Sequence, residues 1–176
     1  MHHLVTQILL VASISLTGNK TLNHDSNTAP ERPYAATEEK APDFQIESVD
    51  GETISLKKSI EEGKPTVIYF TASWCPKCAK NWPTLSEAYE EYKDRINIIA
   101  VSIDPTDDAS VMKKLAKERE ISFPVAAGDP KLMVKLGVSG QATTMGISAQ
   151  GEVAFRKTAV MSTQDYRVLF DELLKA

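Results

Sequence analysis

The chain has 176 residues, 42% of them hydrophobic and 25% charged, with a formal net charge of −4. That is the composition of a globular protein with a single core. It excludes the basic footprint of a nucleic-acid binder and shows no lysine or arginine cluster for an electrostatic membrane patch.

Residues 4–16, LVTQILLVASISL, form an apolar run near the start. A spanning helix needs roughly 20 such residues and a signal-peptide core about 7–15. The length favours export, although the flank MHH lacks the usual Lys or Arg. No cysteine follows the run, which excludes a lipoprotein anchor. Residues 1–18 therefore read as a signal peptide or membrane anchor, and the polar stretch 19–40, with Pro30 and Pro33, as a flexible linker. The folded domain is expected over 41–176.

Within that domain, Phe44 and Ile46 alternate before Asp50-Gly51, and Ile54 and Leu56 after it, which predicts a β-hairpin. PTVIYF (65–70) and INIIAVSI (96–103) are continuous β-branched runs of the kind buried on both faces of a sheet. Between them Cys78, Trp82, Leu85, Tyr89 and Tyr92 recur at helical spacing, so the pair reads as a βαβ unit with parallel strands. DDASVMKKLAKERE (107–120) predicts a helix with acids at its start. A strand follows, then a short helix over 129–137, capped by Asp129 and ended by Gly137. TTMGIS and VAFRK flank AQGE as an antiparallel hairpin. A last helix opens with Ser162 and Asp165 as a capping pair and buries Tyr166, Leu169, Phe170, Leu173 and Leu174.

Cys75 and Cys78, in SWCPKC, are the only cysteines. As half of a zinc site they need two more ligands, and the three histidines, His2, His3 and His24, lie in the leader and linker. As a staple they close almost no loop. A cycling dithiol fits best. Pro76 favours the first helical position, which puts Cys75 at the helix N-cap, where N–H groups and the dipole stabilise a thiolate. Lys77 adds a positive charge beside it. Cys78 lies one turn deeper, shielded, to resolve the mixed disulfide that the exposed Cys75 forms.

FTASWCPKCAKNWPTL after a buried strand resembles the active site of the thioredoxin superfamily. APDFQIESVDGETISL, IIAVSID and LGVSGQATT resemble its extracytoplasmic thiol–disulfide oxidoreductases of the TlpA and ResA type, a redoxin (AhpC/TSA-like) domain. The resemblance spans about 41–174. It implies an α/β thioredoxin fold, a central mixed sheet flanked by helices, with an added N-terminal hairpin. It also implies that Cys75 is the nucleophile, Cys78 the resolving thiol, Trp74 the border of a substrate groove, and Pro83 the proline that kinks the active-site helix. Substrate contacts are expected from Trp74, Pro76, Lys77, Gln141, Ala142 and Thr143, with no cofactor beyond the Cys75–Cys78 disulfide.

Three departures stand out. The family places proline third in the motif, whereas Pro76 is second and Lys77 third. A glutamate common three residues after the second cysteine is Asn81, and a strand position often Asp or Asn is Tyr69, so neither supplies a base near neutral pH. The cis-proline that faces the disulfide is Ala142, for which a trans bond is expected. Without that proline the two sulfurs stand open to a soft metal. The resemblance implies a reductase of protein disulfides outside the cytoplasm, of the apocytochrome or copper-site maturation type. It would be fed by a membrane thiol donor and touch the membrane only through the N-terminal segment. The alternatives are a disulfide donor of DsbA kind and a copper-binding or delivery module. A peroxidase is disfavoured, because the Pro and Thr that its motif needs before the cysteine are here Ile68 and Ala72.

Overall fold

A computed structural model describes residues 39–176. The expected leader (1–18) and the linker up to residue 38 lie outside the described residues. Among the described residues no helix is long and apolar enough to cross a membrane.

A small antiparallel pair opens the domain, β1 (Gln45–Glu47) and β2 (Thr53–Ser55), with Ile46 opposite Ile54. Its turn runs through Gly51 at φ +88°, a conformation that glycine adopts without steric cost. Helix α1 (Leu56–Glu61) follows directly, capped by Ser55. Sequence periodicity did not announce it. A six-residue helix with two buried positions has too few turns for an amphipathic stripe.

The main sheet holds five strands in the order β5-β4-β3-β6-β7. Strand β3 (Thr66–Thr71) is central and buried throughout, parallel to β4 (Asn97–Ser102) and antiparallel to β6 (Thr143–Ile147). β4 also pairs in parallel with the two-residue β5 (Val125–Ala126), and β6 antiparallel with β7 (Val153–Thr158). This is the mixed sheet of a thioredoxin fold with the expected hairpin added.

Alternation along β3 sorts the helices into two layers. Val67 and Tyr69 share one core with Trp82 and Leu85 of α2 (Pro76–Tyr92), Met112 and Leu115 of α3 (Ala109–Glu118), and Leu169 and Phe170 of α5 (Thr163–Leu173). Ile68 and Phe70 share the other with Leu56, Ile46, Ile54 and Leu132 of α4 (Pro130–Lys135). The Ser162–Asp165 capping box forms as expected, and Gly137 takes φ +67° after α4. On α5, Leu174 is only half-buried.

The buried tyrosines tie this core to pH. Burial pushes the Tyr69 hydroxyl up to about 12 and Tyr166 above the usual tyrosine range. Both are neutral when protonated, so the unfolded chain ionises first as pH rises past about 10. Their contribution is full below that pH and fades as pH climbs toward the raised folded values. Urea melts at pH 8 and pH 11 should show a drop in stability, and Tyr69→Phe should lessen that drop. A Tyr69→Phe protein with the same alkaline loss as wild type would contradict this.

Candidate active site

The site begins where β3 runs out. Past Thr71 the chain turns through Ala72, whose carbonyl accepts from Cys75 N–H at 3.1 Å. Cys75 is extended (φ −80°, ψ 113°) and forms the N-cap of α2, with Pro76 in the first turn. Its Sγ accepts the Cys78 N–H at 3.1 Å, the geometry of a side-chain N-cap with sulfur in place of oxygen. Pro76 has no N–H, so the donor that reaches the sulfur comes from the third helical residue. Cys75 and Cys78 are joined in a disulfide. Here the structure corrects one expectation: Cys75 is not an exposed thiol in this state. It keeps 4% of its surface against 0% for Cys78, because both sulfurs seal the top of the core.

The other expected contact residues divide by exposure. Trp74 is 58% exposed, Pro76 and Lys77 are exposed, and Gln141 is half-buried. Ala142 and Thr143 are buried, the Thr143 hydroxyl lies 2.6 Å from that of Thr158, and the Ala142 carbonyl accepts from Ala159 N–H at 3.1 Å. The register that sets Thr143 beside Phe70 brings Ala142 level with Thr71, next to the active-site turn.

Two acids that sequence reasoning did not connect to the site hold that turn. Asp107, expected as an acid at the start of α3, is a buried anchor instead; Asp108 is the cap. The Asp107 carboxylate accepts from Ser73 N–H (2.8 Å), the Ser73 hydroxyl (2.6 Å) and the Ser102 hydroxyl (2.6 Å). Asp104 accepts from Trp74 Nε1–H at 2.6 Å. Its carboxyl is held below the usual range by the Thr106 N–H, then the Thr106 hydroxyl, then the indole. The hint in the sequence was SIDPTDD itself: Ser, Asp and Thr clustered past a strand end bond to nearby backbone and side chains.

Beneath the disulfide, Asn81, at the position where the resemblance leads one to expect a glutamate, is fully buried. Its Nδ2 donates to Tyr69 Oη (3.1 Å) and the Ala159 carbonyl (2.9 Å), while Oδ1 accepts from Met161 N–H (2.9 Å). The two residues read as replacements for titratable groups thus bond to each other and stitch α2 to the loop before α5. Trp82 lies edge-on to Tyr69 at 5.5 Å in the core. Pro83 sits inside α2, which continues through it to Tyr92. Ile68 and Ala72, both buried, offer no hydroxyl toward Cys75 for peroxide chemistry.

The chain matches the AhpC/TSA family over residues 37–164. It is 34% identical over 136 residues to the thiol-disulfide oxidoreductase ResA of Oceanobacillus iheyensis, covering 73% of this chain and 68% of that one. To ResA of Halalkalibacterium halodurans it is 31% identical over 153 residues, covering 85% and 84%. Its fold is shared with a thiol:disulfide interchange protein of Chlorobium tepidum, with a TM-score of 0.67 at 23% identity, covering 79% and 99% of the two chains.

Ala142 carries the sharpest local test. Its φ is +59°, in the left-handed region, whereas proline is locked near −65°. Relief of left-handed strain, about 1–2 kcal/mol, is offset by the loss of one buried methyl, about 0.8 kcal/mol, and by glycine's extra chain entropy, about 0.5–1 kcal/mol. Ala142→Gly should therefore stay within about 1 kcal/mol of wild type in urea melts. Ala142→Pro should lose well over about 1 kcal/mol, since its ring cannot take the native φ. A proline variant as stable as wild type would show that the loop takes another backbone path.

Proposed function

The chain belongs to the AhpC/TSA family, among its ResA-like thiol–disulfide oxidoreductases, and from that premise we propose that it reduces protein disulfides outside the cytoplasm. Cys75 is the attacking sulfur and Cys78 the resolving one. In the reduced protein the Cys75 thiolate, at the N-terminus of α2, attacks one sulfur of a substrate disulfide and expels the other as a thiolate. Cys78, having lost its proton, then attacks Cys75 Sγ and releases the remaining substrate thiol. Two electrons pass to the substrate, and the pair is left as the Cys75–Cys78 disulfide. A membrane thiol donor would return the pair to the dithiol, and the apolar segment 4–16 supports a location beyond the cytoplasm.

The observation that carries the reducing direction is the placement of Asp104 and Asp107. Both carboxylates bond to the residues immediately before Cys75, Trp74 and Ser73. On this reading, carboxylates bonded to the turn that carries Cys75 disfavour its thiolate and work against the helix N-terminus. A destabilised thiolate makes the dithiol the stronger electron donor. Apocytochromes or copper-site proteins bearing a disulfide are the substrate class that fits this reading.

The test is the state of the pair in cells, read by acid quench and a thiol-alkylating mass tag. The pair should be mostly dithiol at steady state; a mostly oxidised pair would mark a disulfide donor instead. Cys75→Ser should abolish reduction. Cys78→Ser should accumulate mixed disulfides through Cys75, visible on non-reducing gels and identifiable by mass spectrometry.

A further inference from the structure

Trp74 combines large exposure, 58%, with a fixed orientation. Its Nε1–H reaches across thirty residues of sequence to Asp104 Oδ2 at 2.6 Å. The carboxylate is fixed from behind. Oδ1 accepts from the Thr106 N–H at 2.8 Å and the Thr106 hydroxyl at 2.7 Å, and Asp104 N–H donates to Ser102 Oγ at 3.1 Å. The backbone is wedged as well: a Cβ at Gly128 would meet the Asp104 carbonyl oxygen at 1.8 Å. A turn that needed only the bonds to Thr106 would leave Oδ2 to water. Here that oxygen holds the indole.

We infer that Asp104 is a specificity-determining positioning residue, which holds the Trp74 indole as a fixed apolar wall beside Cys75 for an extended peptide that carries the substrate disulfide. The inference rests on the reading of the chain as a reductase of protein disulfides. An exposed indole without a partner populates several rotamers, and a peptide binding against it must freeze one. With the ring already ordered, that entropy is not lost on binding. A small disulfide covers too little of the ring to gain from this.

The probe is a short peptide whose single cysteine is a mixed disulfide with thionitrobenzoate, compared with 5,5′-dithiobis(2-nitrobenzoate) alone. The Cys75 thiolate attacks the peptide sulfur, the S–S bond breaks, and thionitrobenzoate leaves with the electron pair. Cys78 gives its proton to solvent and attacks Cys75 Sγ, the peptide thiol leaves, and two electrons have passed from the dithiol to the probe. The ratio of kcat/KM for the peptide to that for the small disulfide should fall about tenfold in Asp104→Ala, mainly through KM. Asp104→Asn keeps an oxygen that accepts the indole N–H and should restore most of the ratio. Trp74→Phe loses the donor and should match Asp104→Ala, and the double variant should be no worse than either single one. Equal losses on both substrates, additive losses in the double variant, or no rescue by asparagine would each overturn the inference. Wild-type dithiol protein that leaves both disulfides intact would instead refute the reductase reading beneath it.

Discussion

The hydrogen bond from Cys78 N–H to Cys75 Sγ is the contact that the rest of the molecule serves. It exists only if Cys75 is the cap of α2 and not part of the helix, and only four residues, 72–75, separate the end of the central strand from the start of that helix. β3 meets that demand by being buried along its whole length and paired on both sides, which fixes its end. Pro76 then starts the helix with a preset φ and no spare N–H, leaving the Cys78 N–H to reach the sulfur.

Long-range side-chain bonds supply what secondary structure cannot. A turn of four residues has few backbone partners of its own, so side chains from elsewhere hold it. Asp107 grips Ser73, Asp104 grips Trp74, and Asn81 ties the helix below Cys78 to residues 159–161. In the proposed mechanism the helix N-terminus favours a thiolate at Cys75, the carboxylates bound to the two preceding residues oppose it, and the redox character of the pair is the balance of the two.

The sequence made legible those features that depend on local pattern. Two β-branched runs announced the parallel core strands, the stripe from Cys78 to Tyr92 announced α2, and Ser162 with Asp165 announced α5. Cys75 at the helix start followed from Pro76 alone. Trp74 at the surface and Trp82 in the core were separable by the helical stripe and the resemblance. Features without a local signature stayed hidden. α1 is too short for a stripe, and Asp107 looked like any acid at a helix start, because its partner Ser73 lies 34 residues away. The left-handed backbone at Ala142 gave no sign, because alanine, unlike glycine, does not advertise positive φ.

The reduction potential of the Cys75–Cys78 pair, equilibrated at pH 7 against glutathione buffers, tests the central claim most directly. If the carboxylates outweigh the helix N-terminus, the potential lies near or below about −250 mV, close to that of thioredoxin. A potential near −120 mV, as in DsbA, would mean that the thiolate is the favoured form and that this fold donates disulfides rather than reducing them.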